Sequence, residues 1–282
     1  MRHVAVLGRG RVPAETPILR ADDLGVLRGD GVFETMHVRQ GTPWLLDEHL
    51  IRMARSAARL ELDLPDRGAL AALAAIACEG WPAGTEGALR LVCTRGAEGG
   101  GPVTAFATLA PIGDAVRAAR RDGIAVATAT LGLAADARAA APWLLGGAKT
   151  ISYAANMASQ RWAYARQLDD VLWVSADGYA LEAPTSTLVW LAGDALCTVP
   201  PADTGILPGT TARWLLGQAP TRGWRAAERM VRPAELAGAD GVWLASSVRG
   251  AAPIRELDGV PLPRSPHTKA IHDLLGHPVP RQ

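Results

Sequence analysis

The sequence predicts a two-domain α+β protein, and three observations carry that prediction. Its 282 residues are enough to bury more than one core. Apolar residues make up 49% and charged residues 20%, the balance of a globular chain and not of a disordered one. Strand-like and helix-like periods alternate on both sides of a polar stretch at 113–123, where the pattern of the chain changes. The expected organisation is a smaller α/β domain at 1–112, a linker at 113–123 and a larger domain at 124–282.

Taken in order, residues 2–8 and 16–19 read as short strands, with a turn at Gly8-Arg9-Gly10. The Gly-rich stretch 22–31 reads as a loop. A strand at 32–38 turns through Arg39-Gln40-Gly41 into 42–46, a hairpin pattern. Asp47 is the expected cap of a helix whose apolar positions are Leu50, Met53, Ala54, Ala57, Ala58 and Leu60. A second helix is expected at 67–78, then paired strands at 87–94 and 103–109 around a Gly-rich loop that faces substrate or moves. Beyond the linker come a strand at 124–130, an Ala-rich approach, and the Lys149 stretch leading into a helix to about Gln167. Strands at 171–175 and 187–191 follow, with turns at Asp177-Gly178 and Gly193-Asp194. Residues 205–216 read as a loop entering a helix. A strand at 224–229, a short helix after Pro233, a strand at 241–246, a loop and a helix at 266–275 complete the chain.

Composition and motifs narrow the function. A net charge of +1 gives no electrostatic footprint for nucleic acid or a membrane surface. Three dispersed cysteines, Cys78, Cys93 and Cys197, argue for a reducing compartment and against structural zinc. The opening residues are too short an apolar run for a signal peptide, and no stretch reaches membrane-spanning length, so a cytoplasmic protein is expected. The six His residues show no metal-ligand spacing, and no metal is expected. The glycines at 27–31 do not open a helix after a strand, as a dinucleotide fingerprint would. No G-x-S-x-G, H-E-x-x-H or P-loop is present.

What stands out is G-G-A-K-T-I-S-Y-A-A-N-M at 146–157. Lys and Arg total 29, yet Lys occurs only at 149 and 269. Arg cannot replace Lys where an amine must lose its proton and attack a carbonyl, because guanidinium stays charged. Lys149 is therefore a candidate Schiff-base former. A leftover surface Lys would look the same, so the surroundings have to decide. A lysine bonded to pyridoxal phosphate needs donors for the phosphate, a carboxylate for the pyridine nitrogen, and packing that excludes water. Arg52, on the first long helix, could hold phosphate or simply face solvent. Thr210 and Thr211, after Gly209, open a helix where backbone donors can bind a phosphate or where they only cap. Glu182 could face a ring nitrogen or sit exposed on a hairpin. Ser246 and Ser247 end a strand and could add phosphate donors.

Five ordered blocks, G-D-G-V-F-E-T (29–35), D-E-H-L-I-R-M-A-R-S-A (47–57), K-T-I-S-Y-A-A-N (149–156), D-D-V-L-W-V-S-A-D-G-Y-A-L-E-A-P-T-S-T (169–187) and G-I-L-P-G-T-T (205–211), span nearly the whole chain. Through them the sequence resembles the class IV aminotransferases, the fold type IV pyridoxal-phosphate enzymes. That family includes branched-chain and D-amino-acid aminotransferases and 4-amino-4-deoxychorismate lyase. The resemblance implies a barrel-like C-terminal α/β domain, pyridoxal 5'-phosphate in the cleft between the domains, and a homodimer. It implies that Lys149 bonds the cofactor, Glu182 faces its pyridine nitrogen, Arg52, Thr210, Thr211 and Ser247 hold its phosphate, and Phe33 and Glu34 lie in the motif that lines the substrate side. Tyr153 stands one place closer to the Lys than the ring-contacting Tyr of the branched-chain enzymes. Thr187 replaces the usual Asn, and Ala212 a frequent Arg.

The blocks are shared by lyases and transaminases, so the loops must choose. The branched-chain enzymes carry G-T-A-A-E where this chain has S-S-V-R-G (246–250). The Arg and His that trap carboxylate in the D-amino-acid enzymes fall at Gly100 and Pro102 here. The lyases carry R-G-x-G-G-R-G-Y, of which R-G-A-E-G-G-G-P keeps the glycines. The expectation is a 4-amino-4-deoxychorismate lyase giving 4-aminobenzoate and pyruvate, with Arg95 and Arg249 recognising the carboxylate of a small amino substrate. The alternatives are an aminotransferase of branched-chain or D-amino acids and, more remotely, a non-catalytic cofactor-binding member.

Overall fold

The hairpin β1 (His3–Val6) and β2 (Gly10–Val12) opens a computed structural model that describes residues 1–277. Then come α1 (Leu24–Leu27), β3 (Gly31–Arg39), β4 (Thr42–Pro43), α2 (Leu46–Arg59), α3 (Arg67–Cys78), β5 (Gly87–Thr94) and β6 (Thr104–Pro111). These belong to a first unit, Met1–Gly113, which also takes in Ala148–Tyr153 from far along the chain. Its six-stranded antiparallel sheet has the order β2-β1-β6-β5-β3-β4. Alternation sorts the side chains: Val32, Met36, Leu89, Leu91 and Leu109 join Leu50 and Met53 of α2 and Leu70 and Leu73 of α3 in one core. Each such burial stabilises by roughly 1.5–3 kcal/mol.

The second unit comprises Asp114–Gly147 and the chain from Ala154 onward. It contains α4 (Asp114–Asp122), β7 (Ile124–Thr130), α5 (Ala137–Ala140), α6 (Ala154–Tyr164), β8 (Asp170–Val174), β9 (Glu182–Ala183), β10 (Ser186–Ala192) and β11 (Ala195–Thr198). It continues with α7 (Pro201–Thr204), α8 (Thr210–Gln218), β12 (Arg225–Glu228), β13 (Gly241–Ser246), β14 (Gly250–Leu257), β15 (Val260–Pro261) and α9 (Thr268–Leu275). A nine-stranded mixed sheet runs β12-β11-β10-β13-β14-β7-β8, with β9 beside β10 and β15 beside β14. Leu172, Leu188, Trp190, Leu244, Ile206 and Ile254 fill its core. Among the described residues no helix is long and apolar enough to cross a membrane.

Several local expectations are corrected. Residues 16–19 form no strand: Pro13 and Pro17 lack a ladder donor, and Thr16 turns back onto the Pro13 carbonyl. The loop at 22–31 contains α1, capped by Asp23, whose carboxylate accepts the Gly25 N–H at 2.7 Å and the Thr94 hydroxyl at 2.9 Å. Asp47 does not cap α2. The cap is Leu45, in the left-handed region at φ 55°, and Asp47 sits exposed in the first turn, paired with Arg67 at 2.6 Å. Ala54 and Ala58 face solvent, and the buried face carries His49, Arg52 and Ser56 instead. Residues 114–122, within the expected linker, are helical. The helix after Lys149 begins at Ala154 and ends at Tyr164. The loop expected after residue 246 is mostly the strand β14. Its Pro253 pairs with Trp243 on one side, and the parallel ladder to β7 starts only at Ile254.

Candidate active site

Lys149 is held as an added edge of the first unit's sheet. Its carbonyl accepts the Phe33 N–H at 3.1 Å, and Ile151 N–H donates to the Gly31 carbonyl at 3.0 Å. On its other side the Lys149 N–H donates to Ser56 Oγ at 2.9 Å, and that hydroxyl donates to the Arg52 carbonyl within α2. The backbone of Lys149 is thus fixed before its side chain is considered. The amine lies 3.1 Å from the Tyr153 hydroxyl, 4.4 Å from the Phe33 ring centre and 5.2 Å from that of Tyr153. Phe33 and Tyr153 pack edge to face at 5.0 Å. Two aromatic rings and one hydroxyl thus line the amine.

Beneath β3 lies a buried ionic cluster. Glu34 is fully buried and accepts two bonds from Arg52, Nε to Oε1 at 2.7 Å and Nη2 to Oε2 at 2.6 Å. His49 Nδ1 is 2.6 Å from Oε2. Burial alone would raise the Glu34 carboxyl, but the charge and hydrogen bonds of Arg52, with the bond from His49, hold it down at about 2. Burial pushes the His49 imidazole below its ordinary value despite Glu34, so it stays neutral and donates its Nδ1–H.

In the second unit, Glu182 pairs across β9 and β10 with Thr187. Its Oε2 accepts the Leu207 N–H at 3.1 Å, and its Oε1 accepts from Arg138 at 3.0 Å. A Cβ on Gly209 would collide with the Thr187 hydroxyl, so the loop before α8 lies against β10 only because it is glycine there. Thr187 also pairs with Ala245, so Ser247 leaves the sheet at the same end. Glu182, the 207–211 loop and Ser247 are thereby gathered at one edge of the second sheet. Thr211 is buried, and its hydroxyl has no hydrogen-bond partner. It stands in the first turn of a nine-residue helix that lacks a side-chain cap. An unpartnered buried hydroxyl where helix N–H groups point outward suits a phosphate. On this observation the residues present fit pyridoxal 5'-phosphate.

The two arginines expected to bind substrate carboxylate have other partners. Arg95 donates to Asp30 at 2.6 Å and to the Leu60 and Glu61 carbonyls just past the end of α2. Arg249 donates to the buried Asp170 and to Ser186, both at 2.7 Å. Both are clamps within their units. Sequence reasoning missed Ser56, His49 and Arg138. For the first two the signal was present: polar residues at 49, 52 and 56 share one helix face. Nothing local marks Arg138, whose partner lies 44 positions away. The cysteines are buried and unbonded, and burial pushes the Cys78 thiol to about 11 and Cys93 to about 12, leaving both protonated. Among the described residues no cluster could hold a metal ion.

Comparison with known proteins places the chain among relatives. The family described as Amino-transferase class IV matches residues 31–257. The chain is 42% identical over 267 residues to a protein of Mycobacterium tuberculosis named bifunctional aminodeoxychorismate lyase / D-amino acid transaminase, covering 92% of each. It is 29% identical over 248 residues to the D-alanine aminotransferase of Bacillus licheniformis, covering 84% of this chain and 82% of that one. Among solved structures, a hypothetical aminotransferase from M. tuberculosis in its PLP-bound form matches with a TM-score of 0.94 at 41% identity, over 97% of both chains. A fold IV transaminase from Curtobacterium pusillum matches at 0.91 and 36%, over 98% of this chain and 97% of that one.

Proposed function

From the premise that this chain belongs to the class IV aminotransferases, enzymes that use pyridoxal 5'-phosphate, we propose that it is a 4-amino-4-deoxychorismate lyase. The observation that carries the reading is the 42% identity, across 92% of both chains, to the relative named for that lyase activity. Lys149 is the amine that bonds the cofactor, with Glu182 at the ring nitrogen and Arg52, Thr210, Thr211 and Ser247 at the phosphate. Tyr153 and Phe33 orient the Lys149 amine.

When bound, pyridoxal 5'-phosphate supplies an electron sink for the carbon next to the substrate nitrogen. With the cofactor bound, the Lys149 amine would take the proton from the substrate carbon that bears the amine. The adjacent carbon–oxygen bond breaks, and its electron pair leaves with the enolpyruvyl group. A proton added to that group completes pyruvate, while the ring that remains becomes aromatic as 4-aminobenzoate. The Tyr153 hydroxyl, 3.1 Å from the amine, orients Lys149 for that proton transfer.

A second reading, transamination of D-amino acids, is favoured by the other half of that relative's name and by the D-alanine aminotransferase. Aminodeoxychorismate and, separately, D-alanine with 2-oxoglutarate are supplied to the purified yellow protein. Release of 4-aminobenzoate and pyruvate in equal amounts, lost in Lys149→Ala, is the expected result. Turnover of D-alanine alone would replace the first reading with the second.

A further inference from the structure

On the sheet of the first unit, β3, β5 and β6 turn one face away from the α2–α3 core, with Phe33 and His37 buried on it and Arg90 exposed. Its rows are set by register: Phe33 pairs with Val92 and Val92 with Phe106, while Thr35 pairs with Arg90 and Arg90 with Thr108. Arg90 is exposed and is the only charged residue on β5 and β6. Among the described residues its guanidinium makes no hydrogen bond or ion pair. Its cross-strand neighbours are threonines, and the nearest carboxylate along β3, Glu34, points to the opposite face. What Arg90 does touch is the Phe33 ring, 5.6 Å from its centre. The same ring has the Lys149 amine at 4.4 Å. One aromatic side chain therefore carries on its surroundings both the reacting amine and an unpaired fork of N–H donors.

We propose that Arg90 binds the carboxylate of the substrate whose amine displaces Lys149. The inference rests on the reading of Lys149 as the reacting amine. Amino and keto acid substrates carry at least one carboxylate, which must leave water and needs a cation in its place. Arg95 and Arg249 are already tied to carboxylates, Asp30 and the buried Asp170, although Arg249 Nε has no partner. Arg90 is not, and guanidinium matches a carboxylate with two parallel hydrogen bonds that a Lys could not make. Flanking Thr35 and Thr108 are short enough to leave that fork open to a ligand.

Holoenzyme of the wild type, Arg90→Leu and Arg90→Lys is titrated by calorimetry with succinate, which has carboxylates and no amine. Single-turnover reactions follow with D-alanine and with (R)-1-phenylethylamine, an amine without a carboxylate. Arg90→Leu should weaken succinate binding roughly 10- to 100-fold, with Arg90→Lys between. It should also lower the rate with D-alanine far more than the rate with the carboxylate-free amine. A wild type that binds succinate no better than Arg90→Leu overturns the assignment, as does an equal loss with both amines. A wild type that turns over neither amine nor aminodeoxychorismate sinks the proposed function instead, and the calorimetry still decides Arg90.

Discussion

Two arginines on opposite faces of one six-stranded sheet are used in opposite ways. Arg52, against the core face, has its guanidinium locked by a fully buried Glu34 with His49 alongside. Arg90, on the other face, has only an aromatic ring for company. A charge that folding removes from water must be paired within the chain, because leaving it alone costs several kcal/mol. A charge left at the surface can wait for a ligand. The core face shows how this chain pairs charge when stability requires it, so the unpaired cation on the outer face reads as a position kept for something else.

The comparison can be broken most forcefully at Glu34. Glu34→Gln leaves Arg52 without a counter-charge and should cost about 3–5 kcal/mol in urea unfolding. Adding Arg52→Met to Glu34→Leu removes both charges and should recover much of that loss; equal destabilisation would show that the pairing is not what matters. Acid should attack the same cluster in two stages. The His49 imidazole is held below its ordinary 6.5, so the unfolded chain takes up that proton first and stability falls as pH drops below 6.5. The Glu34 carboxyl is held at about 2 against an ordinary 4.5, so its contribution is whole above 4.5 and is lost as pH falls from there toward 2. Unfolding midpoints measured from pH 8 to pH 3 should show both declines, and Glu34→Gln should flatten the lower one. Ser56→Ala removes the acceptor of the Lys149 N–H and should cost about 1 kcal/mol. It should also shift the visible absorption of the bound cofactor, because the backbone that carries Lys149 loses an anchor. Smallest of all, Arg90→Leu should change stability by no more than ~0.5 kcal/mol, as surface substitutions do. A larger loss would mean that Arg90 is part of the framework after all.

How far the sequence can be read depends on how far each determinant reaches along the chain. The helix over 67–78 was legible to its ends, because Asp66 caps it, accepting the Ala69 N–H at 2.9 Å, and its period is local. So were β5 and β7, whose β-prone runs are bounded by Gly or Thr. Strand β14 was not, because Pro253 argues against a ladder until one knows that the pairing to β7 begins one residue later. The start of α2 was misplaced because a left-handed Leu45, not a polar cap, opens it. In the site, the family blocks pointed to Lys149 and Glu182, but the partners of Arg95 and Arg249 lie 65 and 79 positions away. A cation in a loop is the same letter whether it faces a ligand or a buried aspartate. Arg90 passed unnoticed for the same reason, since only cross-strand register places it beside Phe33.

The six residues Ala148–Tyr153 belong to the first unit while the chain on both sides belongs to the second. During synthesis, then, the first sheet leaves the ribosome without Lys149, and Ser56 and Gly31 wait for bonding partners encoded 93 and 120 positions later. A fragment ending at residue 113 would carry Phe33, Arg90 and the Glu34 cluster but no amine to serve. The chemistry proposed for Lys149 thus needs the chain to have doubled back, so that Ala148–Tyr153 can join the first unit.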